Sequence, residues 1–455
     1  MKAVGYIVLL MLAAISPAKP LPAEFLATPD GRRIEQFFTT YNLGDSLAVR
    51  RFIAEQYADS ALRLRPLEQR VPLYLQRRRD LGELQFEQLL KHDPNQLSLL
   101  AQSKSGQWWE LTFLFEPRVP RKLMGYMVDQ ADPPELMNRG PLTQAQLLDS
   151  TRRYVSDLTT GDEFSGAVLI ARHGEPIFQQ AYGMADRERK LPNTVETLFN
   201  IGSINKAFTQ IAIQQLAAQG KLAPDDVVGK FLPDYPNATV RDRVTVQMLL
   251  EHRSGVPDFF NENYRKAARE RLRSNADFIP LVAHEPLWFE PGTGQRYSNG
   301  GYCLLGAIIE QASGRDYYDY VREHVYQPAG MIRSGHFFKT DAEPFRASGY
   351  TLHGDTADLP ELTSNFDHLP GRGSAAGGGY STVADLLAYV NACESGKLPG
   401  SQAGPMGIAG GAPGLNAAVE TGIGSGFTIV VLANRDPETA MDVALQLRRW
   451  AKAVP

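Results

Sequence analysis

The chain has 455 residues, 43% hydrophobic and 22% charged, and its 47 basic and 51 acidic side chains leave a formal net charge of -4. That length favours two domains and ample core, and the composition is that of an ordinary soluble globular protein, which excludes disorder outside the ends. The charges are well mixed with no long basic run, which disfavours nucleic acid as a partner. Two cysteines, Cys303 and Cys393, neither staple a protein of this size nor make a metal site by themselves, and their apolar surroundings suggest buried thiols.

The first residues carry a targeting pattern: Lys2, the apolar run "VGYIVLLMLAAI" and the small residues "SPA" at 16–18. The run is short for a membrane span, so the expectation is a signal peptide over 1–18 and an exported product, periplasmic or secreted, with an uncleaved anchor as the other reading. Ile34, Phe37, Phe38 and Tyr41, then Val49, Phe52, Ile53 and Tyr57, fall at helical spacing and predict two helices. The period then changes to two, and "ELQFEQLLKH", "NQLSLLAQS", "QWWELTFLFEP" and "RKLMGYMVDQ" predict four strands. Trp109, Leu111, Phe113 and Phe115 share one face of the third. These elements make a small α+β domain over 24–130, whose opening "FFTTYNLGDSLAVRRF" resembles the cone-shaped nuclear transport factor 2-like folds. With no paired carboxylates and His92 as a lone histidine, the domain reads as a structural or substrate-contacting accessory.

Pro133, Pro134, Gly140 and Pro141 mark a linker over 131–147. A second domain follows over 148–450. "FSGAVLIARHGEPIFQQAYG" predicts two strands around a turn at His173 and Gly174, "GFTIVVLANR" another strand, and Ala440, Val443, Ala444 and Leu447 one side of a final helix. Sheet elements at both ends with a helix-rich middle point to an antiparallel sheet with helices on its faces.

Within that middle, "IGSINKAFTQ" puts Ser203 at the head of an apolar helix and Lys206 one turn further on. On one reading Ser203 caps the helix and Lys206 is a surface lysine. On the other, the lysine amine reaches the serine hydroxyl, loses water, and takes or relays the serine proton. A second segment, "WFEPGTGQRYSNGGYCLLGAIIEQASGR", delivers Tyr297 and Asn299 just before another apolar helix. Tyr297 is then a proton carrier and Asn299 a partner of lysine and substrate, or else a half-buried aromatic and a helix cap.

With its S-x-x-K at Ser203 and Lys206 and its Y-x-N at Tyr297 and Asn299, the second domain resembles the serine beta-lactamase-related superfamily. The similar branch holds class C beta-lactamases, D-alanyl-D-alanine carboxypeptidases, D-aminopeptidases and esterases. "TVQMLLEHRSGVPD" and "AAGGGYSTVADLLAYV" extend the likeness. The resemblance implies a beta-lactamase/transpeptidase-like fold, an α+β antiparallel sheet flanked by helices. It implies Ser203 as a nucleophile forming an acyl-enzyme, acid and base work shared by Lys206 and Tyr297, and Asn299 orienting Lys206 and substrate. The backbone N–H groups of Ser203 and Gly411 would form the oxyanion hole. No metal or organic cofactor is implied.

The chain departs from the pattern in the third motif. Where the family has a lysine or histidine, a small residue and a glycine beside the substrate, this sequence has Ile408, Ala409 and Gly410. Isoleucine pairs with no substrate carboxylate, which disfavours beta-lactams and peptide C-termini unless Arg372 or Arg296 substitutes. The expectation is an exported serine hydrolase acting on a small ester or amide, esterase-like. D-aminopeptidase, D-alanyl carboxypeptidase or beta-lactamase activity is the alternative, and a catalytically weak peptide or cell-wall binding protein a further one. The glycines at 371–379 and 407–414 lack phosphate-loop spacing, and His336 and His353 lack a zinc motif. His252 reads as a packed or capping histidine, and Glu290 and Asp385 as structural carboxylates.

Overall fold

A computed structural model describes residues 20–455 apart from 105, 118–119, 132, 135–139, 344, 355–357, 402–403 and 405. The leader expected over 1–18 and part of the linker stretch lie outside the described residues. The chain divides into two compact units, Met1–Gly140 and Pro141–Pro455.

In the first unit, Thr28 starts α1 (Pro29–Leu43) by accepting from the N–H of Gly31, and Gly44, at φ 65°, ends it. Asp45 caps α2 (Ser46–Gln56) in the same way. A third helix, α3 (Leu67–Leu81), carries Pro72 in its interior. Four strands follow, β1 (Leu84–Asp93), β2 (Gln96–Ser103), β3 (Trp108–Phe115) and β4 (Leu123–Gln130), paired antiparallel in chain order. Leu97 and Leu99 of β2 stand opposite Phe113 and Leu111 of β3, and this face buries Ile34, Phe37, Tyr41 and Phe52 of the helices. Phe37 meets Phe113 edge to face at 4.8 Å. Trp109 is only partly buried against the same core.

The second unit opens with α4 (Gln144–Thr160), capped at Thr143 by reciprocal bonds with Gln146. β5 (Gly166–Arg172) and β6 (Glu175–Tyr182) form the foreseen hairpin, and His173 and Gly174 both take positive φ, as a tight two-residue turn requires. After a helical stretch containing α5 (Asn205–Ala218), α6 (Asn299–Ser313) and α7 (Val383–Glu394), the chain returns to the sheet. It adds β7 (Gly407–Ala412), β8 (Leu415–Ile423) and β9 (Phe427–Ala433), then ends on α8 (Thr439–Lys452). The sheet has five antiparallel strands in the order β7-β8-β9-β5-β6.

Both faces of this sheet are covered, and the strand residues alternate accordingly. Ala167 and Leu169 of β5 and Val430 and Leu432 of β9 join the core made with α5, α6 and α7. Val168, Ile170, Ile429 and Val431 face the other way, toward Leu147 of α4 and Val443, Ala444 and Leu447 of α8. The α+β arrangement expected from the sequence is the one observed. It puts the edge strand β7 beside the turn that precedes α5.

Candidate active site

Ser203 lies in the single 3-10 turn Gly202–Ile204 that leads into α5. The helix is anchored by Phe208, Ile211, Ala212 and Leu216, all buried. Phe208 is clamped edge to face between Tyr326, at 5.2 Å, and Tyr389, at 5.1 Å. Phe208, Ile211 and Leu216 each contribute about 1.5–3 kcal/mol through burial, so the helix start is firmly placed. Lys206 points into this packed region and is only 6% exposed.

Three oxygens surround the Lys206 amine. Its Nζ is 2.7 Å from Asn299 Oδ1, 3.2 Å from Ser203 Oγ, and in a short contact with the carbonyl oxygen of Ala376. Burial removes the water that would stabilise an ammonium ion and brings the Lys206 pKa down to about 7, with Cys303 and Asp258 opposing the fall. Tyr297 donates its hydroxyl proton to Ser203 Oγ at 2.6 Å. Burial raises the phenol above its ordinary value, although the bond to Ser203 acts against that, so it stays protonated at neutral pH.

Tyr297 and Asn299 reach the site from the start of α6. The cap of that helix is Ser298, whose hydroxyl accepts from Gly301 N–H. The alternative that Asn299 is the cap is thereby corrected: its side chain is turned to Lys206 instead. Asn299 is held by Asp258, whose carboxylate accepts from both the Asn299 backbone N–H, at 3.2 Å, and its Nδ2, at 2.8 Å. Because Nδ2 is committed to Asp258, Oδ1 faces Lys206. His252 packs its ring 4.6 Å from that of Tyr297, and its Nδ1 accepts from the Ser298 N–H. Burial, then the nearby Lys206, depresses its pKa to about 4, so it is neutral and has no direct bond to Ser203.

Strand β7 closes the other side. A Cβ on Gly410 would stand 2.0 Å from the Ile201 carbonyl oxygen and 2.7 Å from Ser203 N, so only glycine lets the strand backbone lie against the Ser203 turn. Gly411 and Ser203 both line a cavity of about 480 Å³. The lining of that cavity on β7 begins at Gly411 and continues to Ala412. Ile408 instead is partly buried against the core, and neither it, Ala409 nor Gly410 belongs to the wall. Arg372 is stacked 3.6 Å over Tyr318 and donates Nε–H to the His336 carbonyl. Arg296 lies 3.7 Å over Trp288. Neither arginine lines the cavity. Arg265 does, and it is bonded to Glu262.

The remaining candidates are structural. Cys303 and Cys393 are buried thiols, and burial pushes Cys303 up to about 12. Asp385 accepts from the N–H groups of Arg333 and Ser334, and Glu290 from Arg243. Among the described residues no group of three or more His, Cys, Asp or Glu side chains is placed to share a metal ion. Sequence reasoning missed Asp258 and the Ala376 carbonyl. Both sit in stretches that the superfamily likeness had drawn attention to, "TVQMLLEHRSGVPD" and "AAGGGYSTVADLLAYV".

A five-stranded antiparallel sheet covered on both faces, with a serine and a buried lysine at the head of a core helix, defines a beta-lactamase-like architecture. Residues 151–431 match the beta-lactamase family, and the chain belongs to that family. It is 32% identical over 240 residues to penicillin-binding protein 4* of Bacillus subtilis (strain 168), an alignment that covers 50% of this chain and 52% of the relative. The chain thus spans about half the length of the curated relatives it matches. A crystal structure of a penicillin binding protein from Bacillus halodurans superposes with a TM-score of 0.57 at 30% identity, covering 64% of this chain and 99% of that one. EstCE1, a hydrolase with promiscuous acyltransferase activity, shares the fold with a TM-score of 0.55 at 24% identity, covering 68% and 99%.

Proposed function

We propose that the protein is a serine hydrolase that works through an acyl-enzyme on an ester or amide lacking a free carboxylate beside the scissile bond. Ser203 is the nucleophile, Lys206 the base, Tyr297 the acid, and the N–H groups of Ser203 and Gly411 the oxyanion hole. The observation that carries this reading is the trio of oxygens around Lys206 Nζ. A neutral amine has two hydrogens and one lone pair. Asn299 Oδ1 and the Ala376 carbonyl accept only, so they take the two hydrogens, and the lone pair is left for the Ser203 hydroxyl proton.

Ser203 Oγ then attacks the carbonyl carbon as its proton passes to Lys206, and the developing oxyanion is met by the two backbone N–H groups. The new ammonium lies 4.7 Å from the ring centre of Tyr297 and 5.3 Å from that of Tyr302, whose faces stabilise it. Tyr297 gives its proton to the leaving atom as the carbonyl bond to that atom breaks, and the ammonium restores the phenol. Water repeats the sequence on the acyl-enzyme, giving a proton to Lys206 and releasing the acid and Ser203.

Ile408, partly buried against the core, and Arg372, stacked on Tyr318 away from the Ser203 cavity, favour an esterase-like or amidase substrate over a beta-lactam or a peptide C-terminus, despite the penicillin-binding names among the relatives. The targeting pattern at the N-terminus supports export, and no helix among the described residues is long and apolar enough to cross a membrane. For the first unit, helices packed on a four-stranded antiparallel sheet support a nuclear transport factor 2-like accessory role. Fluorophosphonate labelling tests the central assignment: one adduct is expected, on Ser203, lost in Ser203→Ala. An adduct that persists in that variant removes Ser203 from the mechanism.

A further inference from the structure

We infer that the substrate is two-sided: an apolar acyl group fills the cavity over Ser203, and a leaving group rich in N–H or O–H donors departs past Tyr297 into the open cleft beside it. This deepens, and rests on, the serine hydrolase reading.

Two hollows meet at the site, and Tyr297, Phe260 and Asn261 line both. The first, about 480 Å³, contains Ser203 and Gly411 and is walled by Phe259, Phe278, Leu369 and Leu415. The acyl carbon becomes bonded to Ser203 Oγ, so the acyl group has to occupy this hollow, and its wall is aromatic and aliphatic. Removing an apolar acyl chain from water there is favourable, whereas a charged one would meet a single arginine among the described lining residues, Arg265, already bonded to Glu262.

The second hollow, about 650 Å³, is lined by Asp258, Glu285, Trp288 and Arg296 as well as Tyr297. A tetrahedral intermediate points its oxyanion at Gly411 and its leaving atom at the proton donor. With Tyr297 as that donor, the rest of the leaving group is directed over the phenol and into this second hollow. Two carboxylates set its chemistry. Asp258 accepts from the Asn299 N–H and Nδ2 and, on its other oxygen, from the Phe260 N–H at 2.9 Å, and Glu285 from Asn263 Nδ2 at 2.8 Å, so Glu285 keeps the larger spare acceptor capacity. The Arg296 guanidinium is turned onto the Trp288 ring. The cleft therefore offers two carboxylates as acceptors and an aromatic edge on which Arg296 is stacked, which suit hydroxyl or amine groups.

In the reaction the Ser203 Oγ–C bond forms to give the tetrahedral intermediate, and the ester C–O bond breaks as that intermediate collapses. The serine proton is delivered through Lys206 and Tyr297 to the departing oxygen, and the alcohol leaves through the cleft. Hydrolysis of the acyl-enzyme no longer involves that alcohol. The two hollows can therefore be separated kinetically.

The test uses the full chain and three hexanoate esters that share an acyl group: ethyl, 1-glyceryl and 2-aminoethyl. Wild type is expected to show kcat/KM for the glyceryl ester, the aminoethyl ester or both about fivefold to tenfold above the ethyl ester. Preference for both assigns hydrogen bonding and preference for the aminoethyl ester alone assigns charge. Glu285→Gln should reduce the preference, most for the aminoethyl ester, because the amide keeps one acceptor oxygen and Asp258 is untouched, while leaving the deacylation rate of the hexanoyl-enzyme unchanged. Lengthening the acyl group from acetyl to hexanoyl should raise kcat/KM, and Leu369→Gln should flatten that rise for all three alcohols alike. Three esters within twofold of one another in wild type, or equal slowing of deacylation by Glu285→Gln, overturns the proposal. A second measurement needs no variant: glycerol should capture the hexanoyl-enzyme of wild type in preference to ethanol, because the acceptor enters by the path the leaving group takes, and equal capture overturns it. An acyl-enzyme on Ser203 without leaving-group preference sinks this inference alone, whereas no acyl-enzyme on Ser203 sinks the reading beneath it.

Discussion

In the proposed mechanism a neutral Lys206 gives its two hydrogens to Asn299 Oδ1 and the Ala376 carbonyl and keeps a lone pair for Ser203. Protonation removes that lone pair, so kcat/KM should rise with pH up to about 7 and then level off, falling about tenfold per unit below the inflection. An ester pH–rate profile flat through this range contradicts the role of Lys206 as base. Asp258 is a positioning residue, acting through Asn299. Its charge favours the ammonium form of Lys206, so Asp258→Asn should move the acid limb to lower pH. The same substitution frees the Asn299 amide to turn and should lower kcat/KM about tenfold, the worth of a charge-assisted hydrogen bond. A variant with the wild-type limb removes Asp258 from the site. Ser203, Lys206, Tyr297 and Asn299 were legible because each pair sits within one local spacing on a recognisable helix start. Asp258 was not, since it acts only through another side chain, and the Ala376 carbonyl was not, since a backbone oxygen leaves no mark on residue type.

At the scale of elements, β7 and the Ser203 turn fit together through glycine. Gly410→Ala would place a methyl group against the Ile201 carbonyl and force the strand outward, at a cost of about 1–3 kcal/mol. Fluorophosphonate labelling should slow far more than the loss in Tm implies, because the proposed oxyanion hole at Ser203 and Gly411 is what moves; unchanged labelling speaks against that proposal. The hairpin at His173 and Gly174, the alternating strands and the amphipathic final helix were legible from period and turn residues. α3 was not: Pro72 inside it argues locally for a break, and packing of Val71 and Tyr74 overrides that preference. The packing of Ile408 against the core rather than in the cavity wall was not legible either, since the motif identifies the strand and not which of its residues reach the cavity.

Each unit of the molecule has its own core, one centred on Phe37 and Phe113 and the other on the two faces of the five-stranded sheet. Phe113→Ala should destabilise the first unit by about 3–5 kcal/mol while Ser203 labelling at low temperature stays at the wild-type rate. Slower labelling there would instead give the first unit a part in building the site. The measurement that bears most directly on the whole account is steady-state hydrolysis of a short p-nitrophenyl ester beside a chromogenic cephalosporin, with Ser203→Ala as control. Ester turnover that depends on Ser203, with little cephalosporin turnover, is the predicted result. Ester turnover unchanged in Ser203→Ala, or cephalosporin turnover outrunning that of the ester, would contradict it.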